Sequence, residues 1–351
     1  MNCNHSDMEG KVAITGANGF IGLNVVHYFL TKGIHPTCCV RRNADLRYLE
    51  GKDLNFAFID LDDVESLEDA FEDADCVIHI AGMARDWGSR KAFFRVNVTG
   101  TMNVLEAAYQ MKVKRTIITG SISSYGEENS QHVKNEESPY NSHYRYFLDR
   151  IFPSGMNHYR DSKARATWMA IDEAKKRGMN LIVMEPAWVF GPHEFHTGFY
   201  EYLKTVQNGI PFMPGSKENK FHVIYAEDLA RAYYLACTSE IKGIERIIAG
   251  NRTAERMDLI YTLFCRELNK SKPKNLPKFL VYPAGFLSEL IYTIVGAKKP
   301  PMLTRARVNM FYDNIEYSTE KARVILGFET KFPLAEAIRH TVEWYKREEF
   351  I

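Results

Sequence analysis

A tyrosine and a lysine at four-residue spacing, Tyr159 and Lys163, form the pair with the clearest chemical use in this sequence. On a helix, residues at positions i and i+4 share a face, so the two side chains are expected to lie side by side. A neighbouring cation favours the ionised phenol and can lower the pKa of a tyrosine from about 10 toward neutrality. Such a tyrosine can protonate a carbonyl oxygen, or deprotonate an alcohol, while a hydride is transferred.

Spacing alone does not identify this site, because the pattern Tyr-x-x-x-Lys occurs five times in the chain. It begins at Tyr28, Tyr48, Tyr159, Tyr200 and Tyr317. Only the copy at 159 opens a long helical pattern after the fifth predicted strand, downstream of a strand end rich in hydroxyl groups. The surroundings therefore favour Tyr159 as the acid/base residue.

The hydroxyl-rich strand end reads "RTIITGSISSYG" over residues 115–126. Open α/β sheets bind their ligands at the carboxyl ends of the strands. Ser121 could therefore hydrogen-bond the reacting oxygen, although serines are also common in turns for purely structural reasons.

A glycine-rich turn lies between the first predicted strand and the first predicted helix, in "VAITGANGFIG" at residues 12–22. Gly16, Gly19 and Gly22 allow a tight turn and close approach of a ligand to the backbone. The amides that open the helix, at Phe20, Ile21 and Gly22, can then hold a pyrophosphate. The spacing Gly-x-x-Gly-x-x-Gly departs from the common Gly-x-Gly-x-x-Gly, but its context predicts a dinucleotide site.

The end of the second predicted strand bears on which dinucleotide is used. An acidic residue there would bind the ribose 2′-hydroxyl of NAD, whereas an arginine suits the 2′-phosphate of NADP. The sequence has Arg41 and Arg42, with no acid before Asp45. We therefore expect NADP, bound through Arg41, with NAD as the alternative if these arginines are only solvated.

The first half of the chain alternates short apolar runs with amphipathic segments, which predicts a Rossmann-type α/β fold with a doubly wound parallel sheet. The runs read as strands buried on both faces, and they are Lys11–Thr15, Thr37–Val40, Asn55–Ile59, Cys76–Ile80 and Arg115–Thr119. Predicted helices include Phe20–Thr31, Val64–Phe71 and Val98–Met111. Residues 1–185 plus 221–250 are assigned to the dinucleotide-binding domain. Residues 186–220 plus 251–351 form a smaller α+β substrate domain.

Composition limits the choice of partners and location. With 45 Lys and Arg against 44 Asp and Glu, the net charge of +1 provides no long-range field for nucleic acid. The polar start of the chain, Met1–Gly10, has no apolar core of a secretory leader. Scattered cysteines and the absence of any metal-ligand spacing favour reduced thiols, no metal site and a cytoplasmic location. A homodimer is compatible with the sequence.

The longest apolar stretch is Phe279–Val295. Its seventeen residues reach only the lower limit of a membrane span, and Pro283 and Glu289 interrupt it. We therefore expect a cap on the substrate domain and no integral span, with contact of 279–295 with a membrane surface left open.

Taken together, the motifs resemble the extended short-chain dehydrogenase/reductase superfamily over nearly the whole chain. They are "TGANGFIG" at 15–22, "DLDD" at 60–63, "HIAG" at 79–82, "VNVTGTMNVLEAA" at 96–108, "TGSISSYG" at 119–126, "YRDSK" at 159–163, "PAWVFGP" at 186–192 and "FHVIYAEDLARA" at 221–232. Stretches such as "RRNADLRYLEG" at 41–51 and "STEKARVILGF" at 318–328 look most like the 3β-hydroxysteroid dehydrogenase and dihydroflavonol reductase branch.

The resemblance implies roles for individual residues. Ser121 would orient the substrate oxygen, Tyr159 would act as acid/base, and Lys163 would hold the ribose. The remaining cofactor contacts that it implies are Asp60 and Leu61 at the adenine, Ala81 and Gly82 along the cofactor, and Pro186 and Val189 at the nicotinamide.

Two features depart from the family. Arginine usually precedes the proline at 186, whereas this chain has Glu185, which changes the expected ion pairing. The stretch 127–158 is long, as in a lid or an inserted packing element.

The favoured function is an NAD(P)-dependent oxidoreductase that interconverts a carbonyl and a hydroxyl on a fairly apolar small molecule. A nucleotide-sugar epimerase or dehydratase and a non-enzymatic dinucleotide sensor are the alternatives.

Overall fold

A computed structural model describes residues 10–126, 132–195 and 198–351 of the chain. Most of the segment that bears on a secretory leader, together with Cys3, therefore lies outside the described residues, as does 127–131 of the long stretch. The strands are β1 (Val12–Thr15), β2 (Thr37–Val40), β3 (Asn55–Phe58), β4 (Cys76–His79), β5 (Arg115–Thr119), β6 (Leu181–Pro186), β7 (Trp188–Phe190), β8 (Phe212–Pro214), β9 (Lys220–Phe221), β10 (Val223–Tyr225), β11 (Ile244–Ala249), β12 (Glu255–Arg256) and β13 (Lys274–Leu276).

The helices alternate with these strands in the first half of the chain and predominate in the second. They are α1 (Phe20–Leu30), α2 (Val64–Phe71), α3 (Arg90–Phe94), α4 (Gly100–Gln110), α5 (Gly155–Arg177), α6 (Gly198–Gln207), α7 (Ala226–Thr238), α8 (Met257–Glu267), α9 (Lys278–Ile294), α10 (Arg305–Tyr312), α11 (Glu320–Leu326) and α12 (Leu334–Arg347). A π-helical turn, Arg95–Thr99, joins α3 to α4, and a 3₁₀ turn, Ile122–Tyr125, follows β5.

Seven strands form one parallel sheet in the order β11-β6-β5-β4-β1-β2-β3. The chain order reverses between β1 and β4, where Thr15 and His79 pair at the carboxyl ends of the two strands. A reversal of this kind opens a crevice in which doubly wound sheets bind nucleotides. The predicted Rossmann-type fold and the five predicted strands are confirmed, with ends that differ by at most one residue.

Both faces of the sheet are covered because successive side chains of its strands point to opposite sides. Ile14 and Ile78 belong to the apolar cluster that α1 and α7 complete. Ala13 and Val77, the residues before them, belong to the cluster beneath α2 and α4. The central strands therefore lie between two helical layers, as their continuous apolar runs predict.

The expectation that all five strands are buried on both faces is wrong for β3. This strand lies at the edge of the sheet, and Phe56 and Phe58 are 36% and 49% exposed. An edge strand has a neighbour on one side only, so apolar residues in a short run do not guarantee burial.

Within the segment 221–250, helix α7 leads to β11, which pairs with β6 at the edge of the sheet. The division into two domains, with its boundaries at 185, 220 and 250, stays a prediction. In the described part of the chain, no helix has the length and hydrophobicity needed to cross a bilayer. The stretch Phe279–Val295 forms α9, and the carboxylate of Glu289 within it is buried against the Arg305 guanidinium at 2.9 Å.

Glu185, the residue that departs from the family pattern, is fully buried at the end of β6. Its cationic partner is Arg246 on the neighbouring strand β11, at 3.5 Å from Nε to Oε2. Tyr125 donates a hydrogen bond to Oε2 at 2.6 Å, and Tyr140 donates another to Oε1. Burial raises the pKa of Glu185, whereas Arg246 lowers it. The ion pair thus joins two neighbouring strands, and Tyr140 ties the long stretch 127–158 to them.

We predict that Arg246→Met lowers the free energy of unfolding by about 3–5 kcal/mol at about pH 8, because the buried carboxylate loses its cation. The loss should shrink at about pH 5. The folded-state pKa of Glu185 is raised above its ordinary value of 4.5, so the ionised carboxylate destabilises the folded state. As the pH falls through the folded-state pKa toward 4.5, the carboxylate is protonated and this destabilisation disappears.

Urea unfolding of wild type and variant at both pH values measures this difference. Arg246→Lys, which keeps the charge, is the control and should lose less stability at the higher pH. An equal loss for Arg246→Met at both pH values would contradict the assignment of Arg246 as the partner that keeps Glu185 ionised.

Candidate active site

The glycine-rich turn is packed closely against the end of β4. Gly16 has φ +71°, and a Cβ atom there would lie 2.7 Å from the backbone nitrogen of Ala81. A Cβ at Gly22 would collide with the Gly16 carbonyl. The turn is closed by a hydrogen bond from the Gly19 amide to the Gly16 carbonyl at 3.0 Å. Gly16 and Gly22 are therefore required by geometry, and Ala81 lies beside the turn.

The amino terminus of α1 faces the same end of the sheet. Gly19 is its N-cap residue, and within the described chain no side chain caps the helix there. Amides at the first turn of a helix lack partners inside the helix, so those of Phe20, Ile21 and Gly22 are suited to an anionic group. Glycines stand where the backbone of the turn would lie closest to a bound ligand, so the turn fits a dinucleotide pyrophosphate.

The residues predicted for the adenosine end lie where β2 and β3 finish. Arg41 is exposed directly after β2, and Asp60 is exposed shortly after β3. Leu61 is half-buried against α4, where Asn103 donates a hydrogen bond to its carbonyl at 2.7 Å. A Cβ at Gly100 would lie 3.1 Å from the Leu61 side chain. Because Arg41 is exposed, its guanidinium is accessible to a ligand at the carboxyl edge of the sheet.

Lys163 connects α5 to the end of β5. Its ammonium donates a hydrogen bond to the carbonyl oxygen of Thr119 at 2.6 Å. A Cβ placed on Gly82 would lie only 3.7 Å from the lysine Nζ, so Gly82 borders the ammonium. Desolvation lowers the pKa of Lys163 to about 8. The cation thus lies between the ends of β4 and β5, close to the glycine-rich turn.

Tyr159 lies one turn before Lys163 on α5 and is half-buried. Its ring centroid is 6.4 Å from that of Phe93 on α3. The i, i+4 spacing on an observed helix places both side chains on one face, as the sequence predicts. The other four copies of the pattern lie elsewhere in the fold.

Ser121 lies at the carboxyl end of β5, two residues after Thr119. It is 8% exposed, and its Oγ lies 2.7 Å from the Ser123 Oγ and accepts a hydrogen bond from the Ser123 amide. The hydroxyl thus caps the following 3₁₀ turn, which is the structural alternative for a serine here, and it remains at the edge of the site.

Pro186 and Val189 lie on the next strands outward. Pro186 ends β6, and Val189 lies in the short strand β7, which pairs with β10 through Ile224. Both are therefore at the same carboxyl end of the sheet as Ser121 and Lys163.

Asn97 is a site residue that the sequence reasoning overlooked. It lies in the π-helical turn, is 2% exposed, and accepts a hydrogen bond from the Met83 amide at 2.7 Å. Its amide group donates to Ser162 Oγ at 2.9 Å, and that hydroxyl donates to the Tyr159 carbonyl. Asn97 therefore holds the segment after Gly82 against the helix that carries Tyr159. The signal was an amide in the otherwise apolar run "VNVTG", at a turn type that is frequent near functional sites.

His79 is a second overlooked residue, and it is held neutral. Thr101 Oγ1 donates to the Asn97 carbonyl, so it accepts from His79 Nε2 at 3.1 Å. His79 Nδ1 then accepts from Thr15 Oγ1 at 2.7 Å. Burial, and secondly the charge of Lys163, lower the pKa of His79 to about 3. The imidazole thus cross-links β1, β4 and α4 without adding a charge to the site.

The described part of the long stretch packs on the turns of α5 around Tyr159. His143 bonds Asp161 and Asp149 at 2.9 Å each, and the Tyr146 hydroxyl accepts from Arg160 Nη1 at 2.9 Å. Asp149 in turn accepts from Asn157 at 3.2 Å. Such contacts are those expected of an inserted packing element, one of the two alternatives given above for this stretch.

Two proteins of known name are similar to the chain over most of its length. The 2-alkyl-3-oxoalkanoate reductase of Shewanella oneidensis is 24% identical, with 93% of this chain and 84% of that protein covered. Short-chain dehydrogenase/reductase family 42E member 1 of Bos taurus is 26% identical, with 97% and 88% covered.

A solved structure supports the fold independently. The UDP-glucose 4-epimerase of Thermotoga maritima, with bound UDP-glucose, has a TM-score of 0.74 at 20% identity and covers 97% of this chain and 99% of its own. A sequence profile of the NAD-dependent epimerase/dehydratase family matches residues 12–249, which is more than half of the chain. The protein therefore belongs to the NAD-dependent epimerase/dehydratase family, within the extended short-chain dehydrogenase/reductase superfamily.

Proposed function

We propose that this protein is a reductase or dehydrogenase that interconverts a carbonyl and a hydroxyl on a fairly apolar small molecule. The observation that supports this most is the position of Lys163, whose ammonium lies beside Gly82 and the Thr119 carbonyl, one helical turn from Tyr159. The ends of β4 and β5 meet helix α5 there, beside the crevice between β1 and β4 where the strand order reverses. A nicotinamide dinucleotide bound there supplies hydride transfer to or from carbon.

The chain's own residues would handle the proton and the orientation of the substrate. Tyr159 would give a proton to the carbonyl oxygen in reduction and take it from the hydroxyl in oxidation. The Lys163 cation would favour the ionised phenol and bind the ribose hydroxyls. Ser121 would turn its hydroxyl from Ser123 to the substrate oxygen. Asn97 and His79 would keep the surrounding strand ends and helix turns in place.

For the cofactor we propose NADP, held by Arg41, with NAD as the alternative. Asp60 and Leu61 would lie at the adenine, Ala81 and Gly82 along the middle, and Pro186 and Val189 at the nicotinamide. The exposed position of Arg41 after β2 supports this arrangement, because a guanidinium there can bind a phosphate with several hydrogen bonds.

We also propose a cytoplasmic location. It is supported by buried cysteines that are free thiols in the described part of the chain, namely Cys38, Cys39, Cys76 and Cys265. Free thiols of this kind persist in reducing compartments.

A nucleotide-sugar epimerase is the second candidate, because the family includes epimerases by name and the fold is shared with one. The relative from Shewanella oneidensis favours the reductase, since its name describes reduction of a ketone that carries alkyl groups. Helix α9 contains no arginine, whereas a charged diphosphate would require bidentate cationic partners, which also favours the reductase.

Tyr159→Phe should lower kcat by about a hundredfold or more, because it removes the hydroxyl that transfers the proton. Nucleotide affinity should stay close to wild type, since the ring is kept. Steady-state kinetics and a nucleotide titration measure the two quantities. Tyr28→Phe, the same change in another copy of the Tyr-x-x-x-Lys pattern, serves as the control. A Tyr159→Phe enzyme with most of its kcat would remove this tyrosine from the mechanism.

Arg41→Ala should weaken NADPH binding by about tenfold or more, because charge-assisted hydrogen bonds to the 2′-phosphate are lost. NADH binding should hardly change. Titrations of both nucleotides against wild type, Arg41→Ala and Lys52→Ala would separate a specific contact from a general effect of positive charge. A wild-type protein that prefers NADH would refute the assignment of NADP.

A substrate panel separates the two enzyme classes. An epimerase regenerates its cofactor in every cycle, whereas a reductase must exchange it. We expect nucleotide that is readily dialysed, NADPH oxidation with hydrophobic ketones or aldehydes, and no interconversion of UDP-sugars. Tightly retained NAD together with epimerisation of a UDP-sugar would replace the reductase with the second candidate.

A further inference from the structure

Helix α9 has an apolar side that no other part of the described chain covers. Leu280, Leu287, Ile291 and Ile294 lie on one side of the helix, because their spacings follow its period. Their exposed fractions are 55%, 54%, 56% and 71%. Isolated exposed apolar residues are ordinary, but a contiguous row of them marks an interaction site.

The opposite side of α9 is fixed against α10, so the exposed row cannot turn inward. Val281, Gly285 and Glu289 are buried there. A Cβ at Gly285 would lie 3.0 Å from Val308, which shows how closely the two helices approach. Arg305 binds Glu289 through Nε and Nη2, at 2.9 and 3.0 Å.

The same arginine attaches a second apolar segment. Arg305 Nη2 donates to the Phe152 carbonyl at 2.7 Å, and the Phe147 ring lies 5.2 Å from that of Phe286 on α9. Phe147, Leu148 and Ile151 are 58%, 40% and 69% exposed. We call the combined surface the α9 patch; its members are Leu280, Leu287, Ile291, Ile294, Val295, Phe147, Leu148 and Ile151.

Cations outnumber acids around the α9 patch. Exposed lysines lie on either side of α9, at Lys274, Lys298 and Lys299, and exposed Arg145 and Arg150 adjoin the second segment. Between Leu268 and Tyr312 the sequence has eight Lys and Arg residues and one acid, the buried Glu289, although the whole chain carries only +1.

Four of these eight cations pair with acids: Lys272 with Asp258, Lys278 with Asp313, Arg305 with Glu289 and Arg307 with Asp86. The other four, Lys270, Lys274, Lys298 and Lys299, are exposed. Asp149, which adjoins Arg150, is buried and bonded to His143. The surface that surrounds the α9 patch therefore has excess positive charge.

We propose that the α9 patch docks on the surface of an anionic lipid bilayer, with α9 lying in the plane of the interface. An apolar helix face inserts among the acyl chains near the headgroups, and flanking cations bind anionic headgroups. A second copy of the chain fits less well. A two-fold contact places each patch on its equivalent, so the Lys298 and Lys299 pairs and both arginines would face like charges.

The proposal does not depend on the reaction that the enzyme catalyses, because Tyr159 and Lys163 are not members of the α9 patch.

Flotation of the full chain with lipid vesicles tests the proposal. The wild type should rise with vesicles made of equal parts phosphatidylcholine and phosphatidylserine, and much less with pure phosphatidylcholine. Added salt should weaken the binding by screening the charges. The double variant Ile291→Gln/Ile294→Gln should bind about tenfold or more weakly, because it removes exposed aliphatic area. Lys298→Gln/Lys299→Gln should lose about fivefold per cation.

The matched control is Val133→Gln/Val324→Gln, which changes two aliphatic residues of 54% and 68% exposure outside the patch. It should bind vesicles like the wild type. Wild-type protein that stays unbound with phosphatidylserine vesicles would overturn the proposal, as would an equal loss in the control variant. Sedimentation of the same variants tests whether the α9 patch instead binds a second copy of the chain. A wild-type dimer that does not bind vesicles and becomes a monomer on Ile291→Gln/Ile294→Gln would assign the patch to self-association instead.

Discussion

The ammonium of Lys163 in its desolvated position is the constraint around which the site is arranged. Removing a cation from water is costly, and the lowered pKa of Lys163 reflects that cost. The Thr119 carbonyl provides the compensating hydrogen bond, which binds α5 to the end of β5. Gly82 borders the ammonium, and burial, followed by the charge of Lys163, lowers the pKa of His79 and keeps its imidazole neutral. The surroundings of this one charge are thus set by residues at the ends of two strands, β4 and β5.

Sequence reasoning recovered the parts of the fold that depend on local pattern. Strands β1, β2, β4 and β5 have continuous apolar runs, and the turn after β1 requires glycines at Gly16 and Gly22, so both could be located from residue types alone. The exposure of Phe58 in β3 could not, because the position of a strand in the sheet depends on pairings with distant parts of the chain. The same limit applies to Glu185, whose partner Arg246 lies on another strand.

Sequence reasoning placed Tyr159 and Lys163 on one face of a helix, as the structure does, because this follows from their spacing. It overlooked residues that link distant segments of the chain. Asn97 joins the segment after β4 to α5, and His79 joins β1 to α4, and neither link has a periodic signature in the sequence. The exposure of α9 was also hidden, because a run of apolar residues looks the same whether it packs inward or outward.

The Glu185–Arg246 pair has a consequence for how the family pattern can change over evolution. Replacing Glu185 alone by the arginine that the resemblance leads one to expect there would set two cations together in a buried space, with Tyr125 and Tyr140 left without their acceptor. Changing Arg246 first would leave a carboxylate without a cation. An evolutionary route by single substitutions from the Glu185–Arg246 pair to an arginine at position 185 therefore passes through an intermediate with an uncharged residue at one of these two positions. Such an intermediate can be recognised in related sequences only when positions 185 and 246 are compared together.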